Sequence, residues 1–464
     1  MERINNIHFI GIGGIGMSGI AEVMLNQGYT VSGSDVQENA STKRLAGMGA
    51  RVDIGHRREN LGDVDVVVTS SAIGADNPEI VEAGKRGVPV IPRAEMLSEM
   101  MRKKRGIAVS GTHGKTTTTS MIANMLEYAG ENPTYVIGGR LISNDRNARL
   151  GGGDYFVAEA DESDGSFLLF HPVIAVITNI DNDHLGSYKS DMQNLVESFS
   201  MFASDLPFYG AAIVCMDDES VASIVPHIHR RIISYGVESD SIVRGANITH
   251  SIAGVGMDVR SEKYNLDRRL EMRLHGKHNA LNALASICVG LELGLDEEVI
   301  FRSLEQFKGI SRRFNVYSLE TTDKKTLSVI DDYGHHPTEI DSVLQTVSRV
   351  FPGRRIVFVF EPHRYSRVRD LFDGFVESLA KADYILVLPV YAASESEIGS
   401  ASSSAICAAV RSMGAEDVHA VSDHEAAIGV LSKITENHDV VLFMGAGSIG
   451  DLVRKFLDTG RVAS

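Results

Sequence analysis

Short apolar runs alternate with longer stretches of helical period along the whole chain. That alternation predicts βα units on parallel sheets. Strands covered on both faces read as unbroken apolar runs, while crossover helices keep a 3.6-residue period. The first unit opens IHFIGIGGIGMSGIAEVML, read as strand, glycine turn and helix, and YTVSGSD, DVDVVVTSSAI and VPVIPRAEM follow as three further strands. The basic run Arg102-Lys103-Lys104-Arg105 reads as a solvated linker before a new strand, GIAVSG. The second unit carries DYFVAEADESD and PVIAVITNIDNDH, strands ending in acids, then antiparallel strands over 240–275 and the helix KHNALNALASICVGLELG. GISRRFNV, 309–316, reads as a second linker. TLSVIDDYGHHP, RRIVFVFEPHR, ADYILVLPVY and DVVLFMGAGSIG form the third unit. The pattern predicts a three-domain α/β protein. Residues 1–104 form a Rossmann-like domain, 105–314 a central P-loop-type α/β domain with some antiparallel strands, and 315–464 a second Rossmann-like domain. Polar chemistry gathers at the C-terminal ends of strands, where open α/β sheets bind ligands.

Composition narrows the partners. The 464 residues suit about three domains at ~150 residues each. A net charge of -16 excludes nucleic-acid binding by bulk charge, so cations for a phosphate ligand must be clustered. Three cysteines, far apart and without a CxxC, argue against a disulfide framework or zinc site and fit a reducing cytoplasm. No apolar run reaches the ~18 residues of a membrane span, and MERINNIHFIGIGG lacks the apolar stretch of an export signal.

The sharpest chemical signal is VSGTHGKTTTTS, 109–120. Gly111 stands too close to Gly114-Lys115-Thr116 for GxxxxGK[ST]. Strand, glycine turn and helix start still make a phosphate loop across Gly111, Thr112, His113, Gly114, Lys115, Thr116 and Thr117. Its N–H groups and the helix's positive end favour phosphate. Lys115 can reach the β and γ phosphates of ATP, and the Thr116 hydroxyl can hold Mg²⁺. Glu159, at the end of YFVA, is placed to reach a metal on ATP. Asp161, Glu162 and Asp164 read as solvated charges, and His184, ending AVITNIDND, reads as functional. Gly11, Gly13, Gly14 and Gly16 belong to a GxGxxG with Asp35 about 20 residues on. A dinucleotide fold needs two halves. This unit of about 100 residues reads as one half-fold, suited to a UDP-sugar diphosphate rather than NAD, with Asp35 on the ribose or base side. A third match, Gly445 to Gly450, reads as close strand–helix packing.

In order and spacing, GIGGIGMSGIAEVM, SGTHGKTTTTSM, EADESDGSF, TNIDNDH, HGKHNALNALA, GISRRF, IDDYGHHPTEI, EPHRYSRVRDLF and MGAGSIG resemble the Mur ligase superfamily across essentially the whole chain. The resemblance implies domains for a UDP-sugar, for ATP with Mg²⁺, and for an amino acid. It also implies an amide ligase, cytoplasmic in bacteria, joining L-alanine to UDP-N-acetylmuramate through an acyl phosphate. The nearest alternative is the recycling branch that adds a tripeptide. Others are a silent UDP-sugar sensor, or an NAD-dependent oxidoreductase with an added ATPase. By resemblance Glu159 is a metal ligand and His184 a second ligand or catalytic histidine. Asn279 and Asn282 contact adenine beside His278, and Arg313 meets the phosphates. Tyr333, His335, His336, Arg364 and Arg367 meet the amino acid and the muramyl carboxylate. The proton of the attacking amine is left to His184 or His335, since a near-neutral histidine suits that task. Arg364 and Arg367 suit a carboxylate as bidentate donors. Hinged closure about residues 104 and 314 is expected, in a monomer or weak dimer with no membrane or nucleic-acid partner. The sequence departs from the family pattern at His184-Leu185-Gly186 and at Ala392-Ala393-Ser394-Glu395.

Overall fold

A computed structural model of the chain describes residues 4–70, 72–143, 146–182, 185–188, 191–393 and 395–463. Among these residues the strands form three sheets of five, ten and seven strands. In the first, all pairings are parallel, in the order Arg51–Ile54, Thr30–Asp35, Asn6–Ile10, Val66–Thr69, Val90–Pro92. This corrects the half-fold expectation, because five strands of a doubly wound order are present. They fit into so short a segment because several are only three or four residues long. The expected strand VPVIPRAEM is strand only at Val90–Pro92, and the helix Arg93–Met101 starts directly after it.

The ten-stranded sheet centres on Arg105–Ser110, parallel to Tyr155–Glu159 on one side and Ile174–Ile177 on the other. Ile174–Ile177 reads IAVI and is buried at every position, as a two-sided strand requires. Segment 240–275 supplies three edge strands, Val243–Ser251, Gly254–Ser261 and Leu266–Met272. The basic run bears out the solvated-linker expectation at Arg102 and Lys103, exposed in the turn before the strand, but its last two residues are tied to the protein. Lys104 Nζ donates to the carbonyls of Gly151 and Gly153, and Arg105 Nη1 donates to the Tyr155 hydroxyl.

The seven-stranded sheet mixes directions. Asn315–Thr321 runs antiparallel to both Thr326–Asp332 and Gly460–Ala463, while Ile356–Phe360, Tyr384–Val387, Val418–Ala420 and Val440–Met444 are parallel to their neighbours. Along IVFVF, Ile356, Phe358 and Phe360 enter one core while Val357 and Val359 enter the other, the two-residue period of a covered strand.

By compactness the chain divides into two units. One holds Met1–Ile248, Gly256–Arg273 and His278–Ile310, and the other holds Thr249–Val255, Leu274–Lys277 and Ser311–Ser464. Within the first unit one apolar core runs from Phe9 and Ile20 through Val136 to Phe156 and Phe199, and a smaller one gathers Ile10, Leu61, Val67 and Ala83. Among the described residues no helix is long and apolar enough to cross a membrane.

Candidate active site

The stretch 109–120 folds as strand, turn and helix. Gly111 and Gly114 take φ of +130° and +83°, and Lys115 opens the helix Lys115–Tyr128. A side chain at either glycine would be strained and obstructed. A Cβ on Gly111 would stand 2.1 Å from Thr178 Oγ1, and one on Gly114 would stand 2.6 Å from Asn282 Oδ1. The turn is pinned by the segment after the strand Ile174–Ile177. The Thr178 hydroxyl and Asn179 Nδ2 both donate to the His113 carbonyl, and His113 N–H donates to Asn179 Oδ1. His113 Nε2 lies 3.0 Å from Asp181 Oδ2. The motif TNIDNDH therefore shapes the loop, a part that sequence reasoning missed by attending to its histidine. His184 itself lies outside the described residues.

Lys115 and two carboxylates form the charged centre of this loop. Lys115 Nζ donates to the Gly111 carbonyl at 2.6 Å and to Glu162 Oε1 and Oε2 at 2.9 and 2.8 Å, with the Thr112 carbonyl at 3.2 Å. Burial pulls the Lys115 pKa down, but Glu162 and Asp161 outweigh it and hold the amine firmly protonated. Glu162 is 1% exposed, so the expectation of a solvated charge is corrected there. Glu159 accepts from the Gly138 N–H at 2.6 Å and from the Thr116 hydroxyl at 3.2 Å. Burial raises its pKa against those bonds and Lys115. Gly138 leaves room for this carboxylate, since a Cβ there would come 2.8 Å from Glu159 Oε2 and push it aside. Asn282 and Asn279, both buried, are joined by an Nδ2–H to Oδ1 bond of 3.2 Å, and Asn279 Nδ2 lies 3.1 Å from His278 Nε2. Through Asn282 the expected adenine set abuts the loop at Gly114.

The first glycine loop opens onto a cavity of about 230 Å³ lined by Gly11, Gly14, Gly16, Ser70, Arg93 and Asp164 among others. Gly13 is not in its lining. Its N–H donates to Asp35 Oδ2 at 2.9 Å, and Asp35 Oδ1 accepts from Gln37 N–H, so both carboxylate oxygens are engaged in holding the turn. Arg93, unmarked in the sequence reading, brings a cation to this wall. A Cβ on Gly16 would collide with its Nη1, and its Nη2 reaches Asp161 Oδ2 at 3.4 Å. Asp161 thus lies between Arg93 and Lys115, which both lower its pKa against the effect of burial.

The second unit assembles the residues expected for the amino acid. Tyr333 lies beneath the guanidinium groups of Arg312 and Arg313, at 5.3 and 5.2 Å, and meets His335 edge-on at 5.5 Å. Arg313 also pairs with Glu339 at 3.6 Å, and Glu339 accepts from the N–H groups of His335 and His336. His336 is buried and caps the helix Pro337–Val350 through Nδ1. Arg364 is exposed, with φ +66°, an uncommon conformation for a residue with a side chain and one often held at functional sites. Arg367 is buried. Glu395, in the departing segment, fixes this turn by accepting from the Ser366 hydroxyl and N–H at 2.6 and 2.9 Å. Ser394 lies outside the described residues. His363 was missed in the sequence. Its ring stacks on Tyr391 at 5.4 Å and meets His335 at 5.6 Å. Burial, with His335, Arg367 and Arg364 beside it, pushes its pKa down to about 3. At the third glycine loop protein groups take the helix start, beside a cavity of about 450 Å³ that Glu361, Tyr391 and Ser448 help to line. Glu361 accepts from the Ser448 hydroxyl and the Ile449 N–H, and a Cβ on Gly447 would strike the Tyr391 ring.

Comparison with known proteins covers the same extent. Residues 6–105 match the family model described as Mur ligase family, catalytic domain, 109–290 the Mur ligase middle domain, and 312–447 the model described as Mur ligase, glutamate ligase domain. The chain is 46% identical over 465 aligned residues to a UDP-N-acetylmuramate–L-alanine ligase of Methylobacillus flagellatus, covering 100% of this chain and 98% of that one. The crystal structure of a UDP-N-acetylmuramate–alanine ligase from Thermotoga maritima superposes with a TM-score of 0.82 at 32% identity, over 98% of both chains. A murein peptide ligase of Psychrobacter arcticus shares the fold, with a TM-score of 0.73 at 23% identity over 99% of this chain and 100% of that one.

Proposed function

Since this chain belongs to the Mur ligase family, we propose that it joins L-alanine to the lactyl carboxylate of UDP-N-acetylmuramate at the expense of ATP. The observation that carries this reading is the loop of residues 111–117. There a largely buried, protonated Lys115 sits over backbone carbonyls beside Thr116 and Glu159. The proposed domains are 1–104 for the UDP-sugar, 105–314 for ATP and 315–464 for the amino acid.

A carboxylate is a poor acyl donor until it is phosphorylated. That first step brings two anions together, and fixed positive charge is the usual way to lower such a barrier. Lys115 supplies it from the loop, and Arg313 is assigned the same task. Thr116 and Glu159 suit a divalent cation. A hydroxyl and a largely buried carboxylate already meet there, the pairing of oxygen donors that a hard divalent cation takes. Mg²⁺ held there would add positive charge against the phosphates. His278, Asn279 and Asn282 hold the base of the nucleotide. The diphosphate of the sugar substrate lies on Gly11, Gly14 and Gly16, with Arg93 as its cation and Asp35 holding the turn through Gly13. Arg364 and Arg367 take the alanine carboxylate. The amine must lose a proton before attack, and His184 or His335, the latter beside Tyr333, is assigned to receive it.

Phosphate release from ATP and Mg²⁺ tests the reading, with UDP-N-acetylmuramate and L-alanine added singly and together. Release only with both, lost in Lys115→Ala, is the expected result. Release with a tripeptide in place of alanine would move the chain to the recycling branch. Release with neither substrate would leave a plain ATPase.

A further inference from the structure

Lys115 is fully engaged by groups of the protein itself. An ammonium has three N–H donors. Four acceptors stand within reach of this one: the Gly111 and Thr112 carbonyls and both oxygens of Glu162. No donor is left over for a phosphate oxygen, so a bound polyphosphate must displace an acceptor. The two carbonyls belong to the turn itself and cannot leave without unmaking it. The carboxylate is the one that a phosphate repels and can replace.

Glu162 is built to stay in place. It is buried, and the Tyr188 hydroxyl donates to its backbone carbonyl from the segment Leu185–Tyr188. Its neighbour Asp161 is drawn the other way, to Arg93 in the cavity of the first glycine loop. Two adjacent carboxylates thus face two different cations, and only one of them grips Lys115 with both oxygens.

We propose that Glu162 is a positioning residue that latches the Lys115 ammonium over the loop and competes with the nucleotide's phosphates for it, thereby setting nucleotide affinity and release. The inference rests on reading residues 111–117 as the ATP loop. In the empty protein the latch keeps Lys115 charged and folded onto Gly111 and Thr112. On binding, the phosphates take its place. On release, Glu162 recaptures the amine and helps ADP to leave. No bond is made or broken covalently.

The test uses the full chain with Mg²⁺ and either ADP or a non-hydrolysable ATP analogue, read by calorimetry, and the complete reaction in parallel. Glu162→Gln removes the competing charge while keeping the shape. It should bind the nucleotides about tenfold tighter, lower the KM for ATP, and lower kcat as ADP release slows. Glu162→Asp, one methylene shorter and unable to hold the amine by both oxygens, should fall between the two. It also serves if the glutamine variant does not fold. Weaker or unchanged binding in both variants would overturn the latch. Lys115→Ala separates this failure from failure of the underlying reading. If Lys115→Ala binds nucleotide as well as the unaltered chain, the loop assignment itself is wrong. If it does not bind, and the Glu162 variants bind no tighter, only the latch is wrong.

Discussion

Replacing Gly114 with alanine tests whether the loop's geometry, rather than its composition, binds nucleotide. Gly114 sits at φ +83°, where an L side chain costs roughly 1–2 kcal/mol. Its Cβ would also stand 2.6 Å from Asn282 Oδ1, a buried group whose amide donates to Asn279. Asn282 would have to shift, breaking a buried hydrogen bond worth about 1–3 kcal/mol when one partner is left unpaired. The backbone cost is carried with or without nucleotide and should appear as lost thermal stability, while the displaced Asn282 falls on the expected adenine contacts and should appear in binding. At about 1.4 kcal/mol per factor of ten, the Asn282 part alone should lower nucleotide affinity by at least about fivefold.

The same helix supplies its own control. Gly130, beyond the other end of Lys115–Tyr128, has φ +79°, and a Cβ added there would meet nothing within 4 Å. Gly130→Ala carries the backbone cost without the collision. It should lower thermal stability and leave nucleotide affinity within about threefold, on the same energy scale. Calorimetric titration of Mg²⁺ and ADP into the three proteins decides the matter. Equal affinities for Gly114→Ala and the unaltered chain would refute the reasoning. Equal losses in both variants would show that backbone strain, and not Asn282, governs the site.

Arg93→Ala should raise the KM for UDP-N-acetylmuramate by about tenfold or more while changing kcat little, since a lost charge-assisted contact to phosphate is worth roughly 1.5–3 kcal/mol; an unchanged KM would remove Arg93 from the sugar site. Gly138→Ala, whose Cβ would stand 2.8 Å from Glu159 Oε2, should raise the Mg²⁺ concentration needed for half-maximal activity, measured by metal titration. Glu79, buried in the first sheet's core, has its pKa lowered from 4.5 to about 2. Burial opposes this, but His8, Ser34, Asn60 and the Arg57 N–H all bond to it. A depressed carboxylate stabilises the fold above its unfolded value, and that contribution is lost as pH falls from about 4.5 towards 2. At ~1.36 kcal/mol per pKa unit it amounts to about 3 kcal/mol. Glu79→Gln should therefore flatten the acid side of the thermal-stability profile, and an unaltered slope between about pH 5 and 3 would count against the network.

How far the sequence could be read depended on whether a residue's partner was near it in the chain. The strand, turn and helix at 105–128 were legible because glycine conformations and helix starts are local properties. Glu162 was misread because its partner, Lys115, is 47 residues away and nothing in ESD marks a buried acid. Arg93 was passed over for the same reason, since its place over Gly16 depends on how the helix Arg93–Met101 packs. The strand count of the first domain failed differently. Three- and four-residue strands leave too little periodic pattern to separate from turns. His363 was hidden beside two arginines that drew attention to themselves, though its ring sits between Tyr391 and His335.

The three glycine loops show what the missing information was. Each has glycine spacing that lets backbone N–H groups approach an anion, and in each a carboxylate already occupies part of the ground. In the first, Asp35 takes the Gly13 N–H and the Ser34 carbonyl those of Gly11 and Ile12, while Gly11, Gly14 and Gly16 line a cavity that Arg93 also lines. In the second, Glu162 takes the lysine and leaves the turn itself alone. In the third, Glu361 takes the Ile449 N–H at the helix start, where a phosphate would sit, and Tyr391 covers Gly447. A phosphate could enter the first two by competing for a cation. In the third it would have to expel a buried carboxylate from its hydrogen bonds, and the nearby cation, Arg312, is already held by the Gly445 and Gly447 carbonyls and by Asp331. The fingerprint therefore states only that an anion can approach the backbone. Whether that anion is a ligand or the protein's own carboxylate is decided by an acid placed elsewhere in the chain: Asp35 lies 22 residues from Gly13, and Glu361 lies 88 residues from Ile449.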